Sequence, residues 1–413
     1  MMRHTEDGLP VTTDADDVVQ ALNQFGNELL SHGKGAAVVF EAAASDPDCA
    51  LAQAWAAAAY LFLMTDEGRR KAQPFLDRAI AAAPHANARE RMLVAAICAW
   101  AADDVPRAIA LHGDVLTQWP QDLTSAKLLL IHQLNDGDVR GQLATAESLL
   151  RADPTRRFVH GLHAFALEQN DRLREAEFAA RTALACDEAD PWAEHALAHV
   201  FDTERRTEEG LIWADRYGAR WDRCSSFLYT HNWWHAALFR IEAGDHDGAL
   251  ALFDRRVWGV RKDYVQDQVN AVALLARLEL AGAVVGARWQ ELADHLERRI
   301  GDRSNAFVDL HTLYGLGRAG RDTAAHQLLL GFAARARRDD ARCDVWGEVA
   351  LPAARALLAH ARNRKREALD LLTPLLPRLI AVGGSHAQRD WFDRMHRDCL
   401  ADRTPQPRRR LAA

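Results

Sequence analysis

The sequence predicts an all-α protein built from a tetratricopeptide-like helical repeat. Prolines recur at Pro47, Pro84, Pro120, Pro154 and Pro191, at intervals of 37, 36, 34 and 37 residues, and each stands between two Ala/Leu-rich runs. Proline cannot continue a helix but suits its first turn, so each proline marks a boundary between helical pairs. A period of this length is typical of the helix–turn–helix units of tetratricopeptide repeats.

The runs between these prolines have helical periodicity. In RLREAEFAARTALACD, apolar residues return at steps of three and four, and no segment sustains the alternation expected of a strand. Similar patterns continue, less regularly, to the C-terminal region. We therefore expect one continuous solenoid over residues 1–404, strongly curved or closed around an inner pocket, followed by a frayed basic tail over 405–413.

Composition excludes several classes of protein. The 413 residues carry 58 acidic and 51 basic side chains, whereas a nucleic-acid-binding domain concentrates basic charge. No apolar run is long enough for a membrane span, and the first residues lack a signal sequence. The six cysteines form no C-x-x-C pair, which favours reduced thiols in a cytoplasmic protein. We expect neither a nucleic acid nor a membrane as partner.

Histidine recurs in phase with the repeat, in three pairs whose members are three or four residues apart. Successive first members are separated by 35 and 36 residues, and successive second members by 36 and 36. Such spacing predicts six imidazoles along one strip of three neighbouring first helices, which line the concave surface of tetratricopeptide-like stacks. The pairs are His160/His163, His195/His199 and His231/His235.

Two interpretations of this strip are open. The histidines could be packing residues inherited by duplication of one unit, or they could form a binding or catalytic surface. In the second case His195, His199, His231 and His235 are the candidate catalytic centre, and His163 is a candidate ligand contact. They would act either as ligands of a divalent transition metal such as zinc, iron or manganese, or as metal-free general acids and bases.

A hydrolytic metal site usually includes a carboxylate. By helical phase Glu194 and Glu242 point away from the histidine face, so Asp309 or Asp267 from later helices would have to complete the site. Asp309 and His311, two residues apart in FVDLHTLYGL, are also candidate ligand-binding residues.

Tryptophan supports a pocket beside the histidines. THNWWHAAL places Trp234 next to a histidine of the strip, where its indole could form one wall of a site for a small organic ligand. We expect Trp233 to pack between helices, and Trp192, Trp213 and Trp258, at repeat junctions, to belong to the core.

The segment AVGGSHAQRDWF predicts the start of a helix. Gly383–Gly384 would form the turn, with Ser385 as the N-cap and Gln388 completing a capping box. This leaves His386 and Arg389 without a structural role. A helix N-terminus beside an arginine suits an anion, so both are candidate contacts for a carboxylate or phosphate of the ligand.

Several of these segments resemble the tetratricopeptide repeat protein 38 family. The specific ones are THNWWHAALFRIEAGDHDGALALFD, EHALAHV and GGSHAQRD, and DPDCALAQA and FVDLHTLYGL also fit, so that the likeness covers nearly the whole chain. The resemblance implies an α-helical solenoid but supplies no reaction.

Two hypotheses for function follow. In the first, the inner face forms a pocket that binds, and chemically transforms, a small organic ligand by acid–base or metal-assisted chemistry. In the alternative, the concave face of a non-catalytic scaffold holds a peptide or helix of a protein partner. A groove filled by the chain's own helices would exclude the scaffold, and an open groove would exclude the pocket.

Overall fold

Helices occupy most of the chain. The computed structural model describes residues 2–303 and 305–402, and the predicted tail over 405–413 lies outside them. The α-helices of this described part, α1 to α21 in order, are Asp16–Leu30, Val38–Ser45, Ala50–Leu61, Asp66–Ala82, Ala88–Ala101, Val105–Gln118, Leu123–Asp136, Val139–Ala152, Val159–Glu168, Leu173–Cys186, Pro191–Thr203, Thr207–Tyr217, Ser226–Glu242, His246–Leu252, Val265–Leu280, Arg288–Leu296, Ala306–Arg318, Asp322–Arg335, Leu351–Ala361, Lys365–Leu372 and His386–Ala401.

Shorter helical segments lie at the ends of several of these helices. The 3-10 segments are Ala83–His85, Gly218–Arg223, Glu297–Arg299 and Leu376–Val382, and the π-helical segments are Phe253–Val257 and Val345–Ala350.

The predicted helix boundaries at the prolines are confirmed. Each of the five prolines falls between two helices or, at Pro191, on the first residue of α11. Helices that follow one another in the chain pack together, as do α9 with α11, α11 with α13 and α13 with α15. The all-α class is therefore confirmed, and the packing is consistent with a helical repeat.

A small antiparallel hairpin precedes the helices. Met2–His4 pairs with Pro10–Thr12, so that Arg3 stands opposite Val11. The sequence analysis did not predict these strands, because three residues are too few to show a period of two. The hairpin is held to α5, where the carboxylate of Glu90 accepts a 2.8 Å hydrogen bond from the backbone of Thr12.

Segments far apart in sequence also meet. The backbone N–H of Ser225 donates to the carbonyl of His32 over 2.6 Å, and that of Asp66 donates to Asp302 over 3.0 Å. Near the C-terminal helices, Arg342 forms an ion pair of 2.5 Å with Asp136. The first third of the chain thus contacts both the middle and the last third.

Several buried histidines make the fold sensitive to acid. Burial lowers the pKa of His132 to about 4 and that of His311 to about 3, from an ordinary value of 6.5. The folded protein therefore keeps both imidazoles neutral, whereas the unfolded chain protonates them. Their contribution to stability is present above pH 6.5 and is lost as the pH falls towards 4.

We expect the free energy of unfolding to fall by about 1 kcal/mol per histidine for each pH unit below 6.5. Urea unfolding at pH 7.0 and pH 5.5 measures this loss. His132→Gln should reduce the difference between the two pH values, whereas the matched substitution His326→Gln, at an exposed position, should not. An equal loss of stability between the two pH values in His132→Gln and in the unmodified protein would contradict the expectation.

Candidate functional site

Two adjacent helices, α11 and α13, carry the four central histidines. Asp190 caps α11 by accepting hydrogen bonds from the backbone of Trp192 and Ala193, over 3.0 and 3.1 Å, and Pro191 occupies the first helical position. This fixes the phase of α11. The two pairs, His195/His199 on α11 and His231/His235 on α13, each lie four residues apart and therefore on one helix face.

The four imidazoles converge on one point. One nitrogen from each of the four rings can be chosen so that all of them lie within 4.8 Å of one another. The Nε2 atoms of His195 and His199 are 3.1 Å apart. The ring centroids of His199 and His235 are 4.6 Å apart, and those of His195 and His231 are 5.0 Å apart. The predicted meeting of these two histidine pairs is therefore present in the structure.

The four imidazoles are shielded from solvent, and several of their nitrogens have no hydrogen-bond partner. All four side chains are 2% exposed or less. Nδ1 of His195, Nδ1 of His199 and both ring nitrogens of His235 make no hydrogen bond within the described residues. Buried polar atoms normally find a partner. Nε2 of His195 and of His199 face each other, so the unsatisfied atoms of these two rings are the outer nitrogens, whereas His235 has a partner on neither nitrogen.

Burial keeps these imidazoles neutral. It lowers the pKa of His199 to about 4 and that of His231 to about 3, and it lowers the pKa of His195 and His235 well below the ordinary value. A neutral imidazole is the form that binds a metal ion.

Two polar side chains hold the outer faces of the rings. Oε2 of Glu168, on α9, lies 3.4 Å from Nδ1 of His199, and both side chains are fully buried. Oδ1 of Asn270, on α15, lies 2.9 Å from Nδ1 of His231. With Nδ1 of His231 as the donor, its Nε2 lone pair is free for a metal. In metal sites, the ring nitrogen of a histidine that does not bind the metal typically contacts such a carboxylate or amide oxygen.

Glu168 is itself densely bonded. It accepts a hydrogen bond from Thr203 over 3.1 Å and one from its neighbour Gln169, and its Oε1 lies 3.3 Å from Nδ1 of His386. Burial alone would raise the pKa of this carboxyl, but His199 and His386 outweigh it and bring the pKa below its ordinary value. Glu168 is therefore an ionised partner for His199.

Aromatic rings enclose the cluster. Trp234 is fully buried and stacks on His231, with centroids 5.1 Å apart and an interplanar angle of 10°. Phe165 packs against His195 at 5.5 Å and against His199 at 5.2 Å. Trp234 is therefore beside the histidines, as the sequence predicts, although it faces the cluster interior.

A cavity of about 310 Å³ lies beside the cluster, separated from it by one layer of side chains. Three of the lining residues touch the histidines. Trp192 packs on His195 at 4.6 Å, Phe227 stacks on His231 at 5.4 Å, and Asn270 bonds to His231. Other lining residues are Phe25, Glu28, His32, Phe62, Lys127, Asn135, Tyr264, Gln266, Phe307 and Gln388. The four histidines do not line it.

Lys127 and His32 meet at the wall of this cavity. Nζ of Lys127 is 2.9 Å from Nε2 of His32 and 4.0 Å from the centroid of the Trp192 ring. The imidazole of His32 also stacks on the indole of Trp192, with centroids 4.8 Å apart. Burial lowers the pKa of Lys127 to about 7 and that of His32 well below its ordinary value.

The first histidine pair does not join the cluster, contrary to the predicted six-membered strip. His160 and His163 are half-buried, and Nε2 of His160 bonds to the carbonyl of Pro154 over 2.9 Å. On α9, Phe165 and Glu168 occupy the place facing α11 instead.

The carboxylates proposed from the sequence do not complete the site. Asp267 accepts hydrogen bonds from Ser226 and Thr230, the latter over 2.9 Å. Glu194 accepts from Trp221 over 2.9 Å, and Glu242 pairs with an arginine of α21 over 2.7 Å. The latter two point away from the histidines, as their helical phase predicts.

Asp309 and His311 lie in a different part of the core. Asp309 is buried, and burial raises its pKa well above the ordinary value despite the nearby Arg299 and Arg303. Nδ1 of His311 donates to the carbonyl of Phe307 over 2.8 Å. Neither residue lines the cavity beside the histidines.

The capping box of α21 is confirmed. Ser385 accepts from the backbone of Gln388, whose side chain accepts from the backbone of Ser385 over 2.9 Å. The predicted anion contact is occupied by the protein itself. The backbone N–H of His386 donates to Gln169 over 3.2 Å, and Arg389 donates to the carbonyl of Gly384. His386 instead supports Glu168.

Trp213 and Trp258 are core residues, as expected, and Trp233 packs on Trp221 with centroids 4.8 Å apart. Trp192 is half-buried and packs against the core, and its indole also lines the cavity between His32 and His195.

A second group of metal-binding side chains is already satisfied. His360, Asp398 and Cys399 lie close together. Nδ1 of His360 bonds to Tyr314 over 3.2 Å, and its Nε2 bonds to Asp398 over 3.1 Å. With both nitrogens in use, this histidine is explained by packing.

The chain matches no protein-family model. None of the helices within the described residues combines the length and apolar character required to cross a bilayer.

Proposed function

We propose that His195, His199, His231 and His235 hold one divalent transition metal ion, and that the adjoining cavity takes a small organic ligand. The observation that carries the proposal is the convergence of four buried, neutral imidazoles with unsatisfied nitrogens. Nitrogens around a tetrahedral zinc ion are about 3.4 Å apart, since each bond is about 2.0–2.1 Å long. Small rotations of the rings would bring the four nitrogens within this range.

Metal binding accounts for the cluster better than general acid–base chemistry does. A general acid or base works best when its pKa lies near the operating pH. Burial places the pKa of His199 at about 4 and that of His231 at about 3, so neither carries a proton to donate near neutrality. As metal ligands, neutral imidazoles need no proton.

The donor set favours particular ions. Four imidazole nitrogens suit zinc, copper, iron or nickel, whereas manganese prefers oxygen ligands. Glu168 would act on the metal through His199, by raising the basicity of that ring and fixing its orientation.

The metal and the ligand would be coupled through the wall between them. Trp192 and Phe227 each line the cavity and stack on a histidine of the cluster. A ligand that displaces either ring would change the metal environment. Metal-assisted transformation of the ligand requires such a displacement, because one layer of side chains separates the two.

We also propose that the helical pairs form a strongly curved solenoid closed on itself. The contacts of Ser225 with His32 and of Asp66 with Asp302 support this arrangement. These contacts between distant segments support an inner pocket more strongly than they support a peptide-binding scaffold. The relationship to the tetratricopeptide repeat protein 38 family and the cytoplasmic location stay predictions from the sequence.

Metal titration tests the proposal. We expect the metal-free protein to bind about one equivalent of Co²⁺, with the visible absorption of a four-coordinate nitrogen site, and Zn²⁺ to displace it. The double variant His195→Gln/His235→Gln should lose this binding. The matched control His160→Gln/His163→Gln changes the pair that lies outside the cluster and should bind as the unmodified protein does.

Elemental analysis of the reconstituted protein can contradict the metal site. Less than about a tenth of an equivalent of any transition metal after reconstitution would overturn the proposal. Equal loss of binding in the double variant and its control would also contradict it, because the cluster would then not be the site.

A further inference from the structure

We propose that Lys127 is a carbonyl-capturing amine, whose Nζ condenses with an aldehyde or ketone group of the ligand in the cavity to form an imine. This inference rests on the cavity ligand of the proposed function but not on the metal. It names the chemical class of that ligand.

The position of Lys127 is unusual for a lysine. Its side chain is 1% exposed, and it lines the cavity of about 310 Å³ from helix α7. A lysine is almost never fully buried unless its charge is paired. Within the described residues, no carboxylate forms an ion pair with Nζ, whose hydrogen-bond partner is the imidazole of His32.

The carboxylate that attracts the charge of Lys127 already accepts hydrogen bonds from the backbone. Asp190 attracts the charge of Lys127, but its Oδ1 accepts the two backbone hydrogen bonds that cap α11. Burial outweighs this attraction and lowers the pKa of Lys127 to about 7. This lowered pKa favours the neutral amine, which is the nucleophile in imine formation.

His32 is held where its imidazole orients the amine. Its backbone adopts a left-handed conformation with φ of 52°, which ends helix α1, and its carbonyl is fixed by the backbone N–H of Ser225. Its ring stacks on Trp192, which places Nε2 at 2.9 Å from Nζ.

The reaction balances without a redox partner. Nζ attacks the carbonyl carbon, and the N–C bond forms as a proton moves from nitrogen to the carbonyl oxygen. The second N–H proton then moves to the resulting hydroxyl, which leaves as water while the nitrogen lone pair completes the C=N bond. The net change is amine plus carbonyl giving imine plus water, and hydrolysis reverses it.

The wall of the cavity indicates the remainder of the ligand. Aromatic and aliphatic side chains from several helices form most of it, and amide side chains supply a few hydrogen-bonding groups. These residues favour an aromatic or otherwise apolar carbonyl compound with one or two polar substituents. The aromatic residues are Phe25, Phe62, Trp192, Phe227, Tyr264 and Phe307.

Reductive trapping with benzaldehyde tests the inference. The full-length protein is treated at pH 7 with benzaldehyde and cyanoborohydride, and modified lysines are located by peptide mapping. The sequence contains five lysines, at positions 34, 71, 127, 262 and 365. An ordinary lysine has a pKa near 10.4 and is almost wholly protonated at pH 7, so we expect Lys127 to react at least tenfold faster than the other four.

Two variants separate this role from a structural one. Lys127→Arg retains the cation but has no nucleophilic amine, so its folded form should show no fast labelling. His32→Gln leaves Lys127 in place and should slow its labelling about tenfold, because the imidazole no longer orients Nζ. The control variant His160→Gln/His163→Gln changes neither the cluster nor the cavity wall and should be labelled at Lys127 as fast as the unmodified protein.

The outcomes distinguish the two proposals. Labelling of the other lysines at the same rate as Lys127, or before it, overturns the imine. If benzyl alcohol, which cannot form an imine, still raises the melting temperature while Lys127 is not labelled, the ligand cavity stands and the imine fails. If benzoate binds the unmodified protein and Lys127→Arg equally well while Lys127 remains unlabelled, Lys127 is a cation for carboxylates instead.

Discussion

Glu168→Gln is expected to weaken metal binding about tenfold to a hundredfold, although the residue does not belong to the four histidines. The carboxylate lies 3.4 Å from Nδ1 of His199, and it is fully buried. Glutamine preserves the size of the side chain but removes the negative charge that makes the imidazole a stronger donor. Competition between the protein and a chelator for Zn²⁺ measures the change in affinity.

The matched control for this prediction is Glu175→Gln. Glu175 lies at the start of α10 and pairs at the surface with Arg172 over 2.6 Å, so its loss should leave metal affinity unchanged. The melting temperature of the metal-free proteins shows whether folding is affected. If Glu168→Gln binds Zn²⁺ as tightly as Glu175→Gln does, the carboxylate has no role in supporting the metal site.

The sequence was most informative where a local rule decides the structure. Proline restricts the backbone wherever it occurs, so the helix boundaries at the five prolines could be predicted without tertiary information. The capping box of Ser385 and Gln388 is likewise a local arrangement, and it is present as predicted.

The histidine pairs show where this reasoning stops. Pro191 is the first residue of α11, but α9 begins at Val159, five residues after Pro154, because Phe158 adopts a left-handed conformation with φ of 71°. His160 is the second residue of α9, whereas His195 is the fifth residue of α11, so equal spacing in sequence does not place them at equivalent positions. Phe165 and Glu168 of α9 contact the cluster instead.

Residues that meet only through the tertiary fold carried no comparable signal. His32 and Lys127 are 95 residues apart and belong to no recurring motif. Glu168 is an ordinary charged residue at the end of α9, and its contact with His199 depends on how α9 packs against α11. A cavity wall assembled from separate helices cannot be predicted from periodicity, which describes one helix at a time.

Arg277→Met is expected to lower the free energy of unfolding by about 3–5 kcal/mol, the usual effect of removing one partner from a buried charged network. Arg277 is 2% exposed. Its Nη2 donates to the carbonyl of Ala387 over 2.6 Å and to that of Gln388 over 3.3 Å, at the start of α21. Methionine fills a similar volume but leaves both contacts unmade.

The loss would also remove a positive charge that attracts two half-buried acids, although Asp390 keeps its ion pair with Arg394. Asp390 and Asp202 both attract Arg277, and burial already raises the pKa of Asp202 to about 7. Without the guanidinium, we expect the pKa of Asp202 to rise further and the start of α21 to separate from α15. Because His386 on α21 supports Glu168, metal affinity should fall together with stability.

Urea unfolding and hydrogen exchange of α21 measure the two effects. Arg355→Met is the matched control, because this arginine is exposed on α19 and its replacement should change stability by no more than about 0.5 kcal/mol. Arg277→Lys should be intermediate, since an ammonium keeps the charge but cannot reproduce the planar fork of a guanidinium. If hydrogen exchange in α21 is the same in Arg277→Met as in the unmodified protein, apolar packing alone holds this helix. The histidine cluster then does not depend on Arg277.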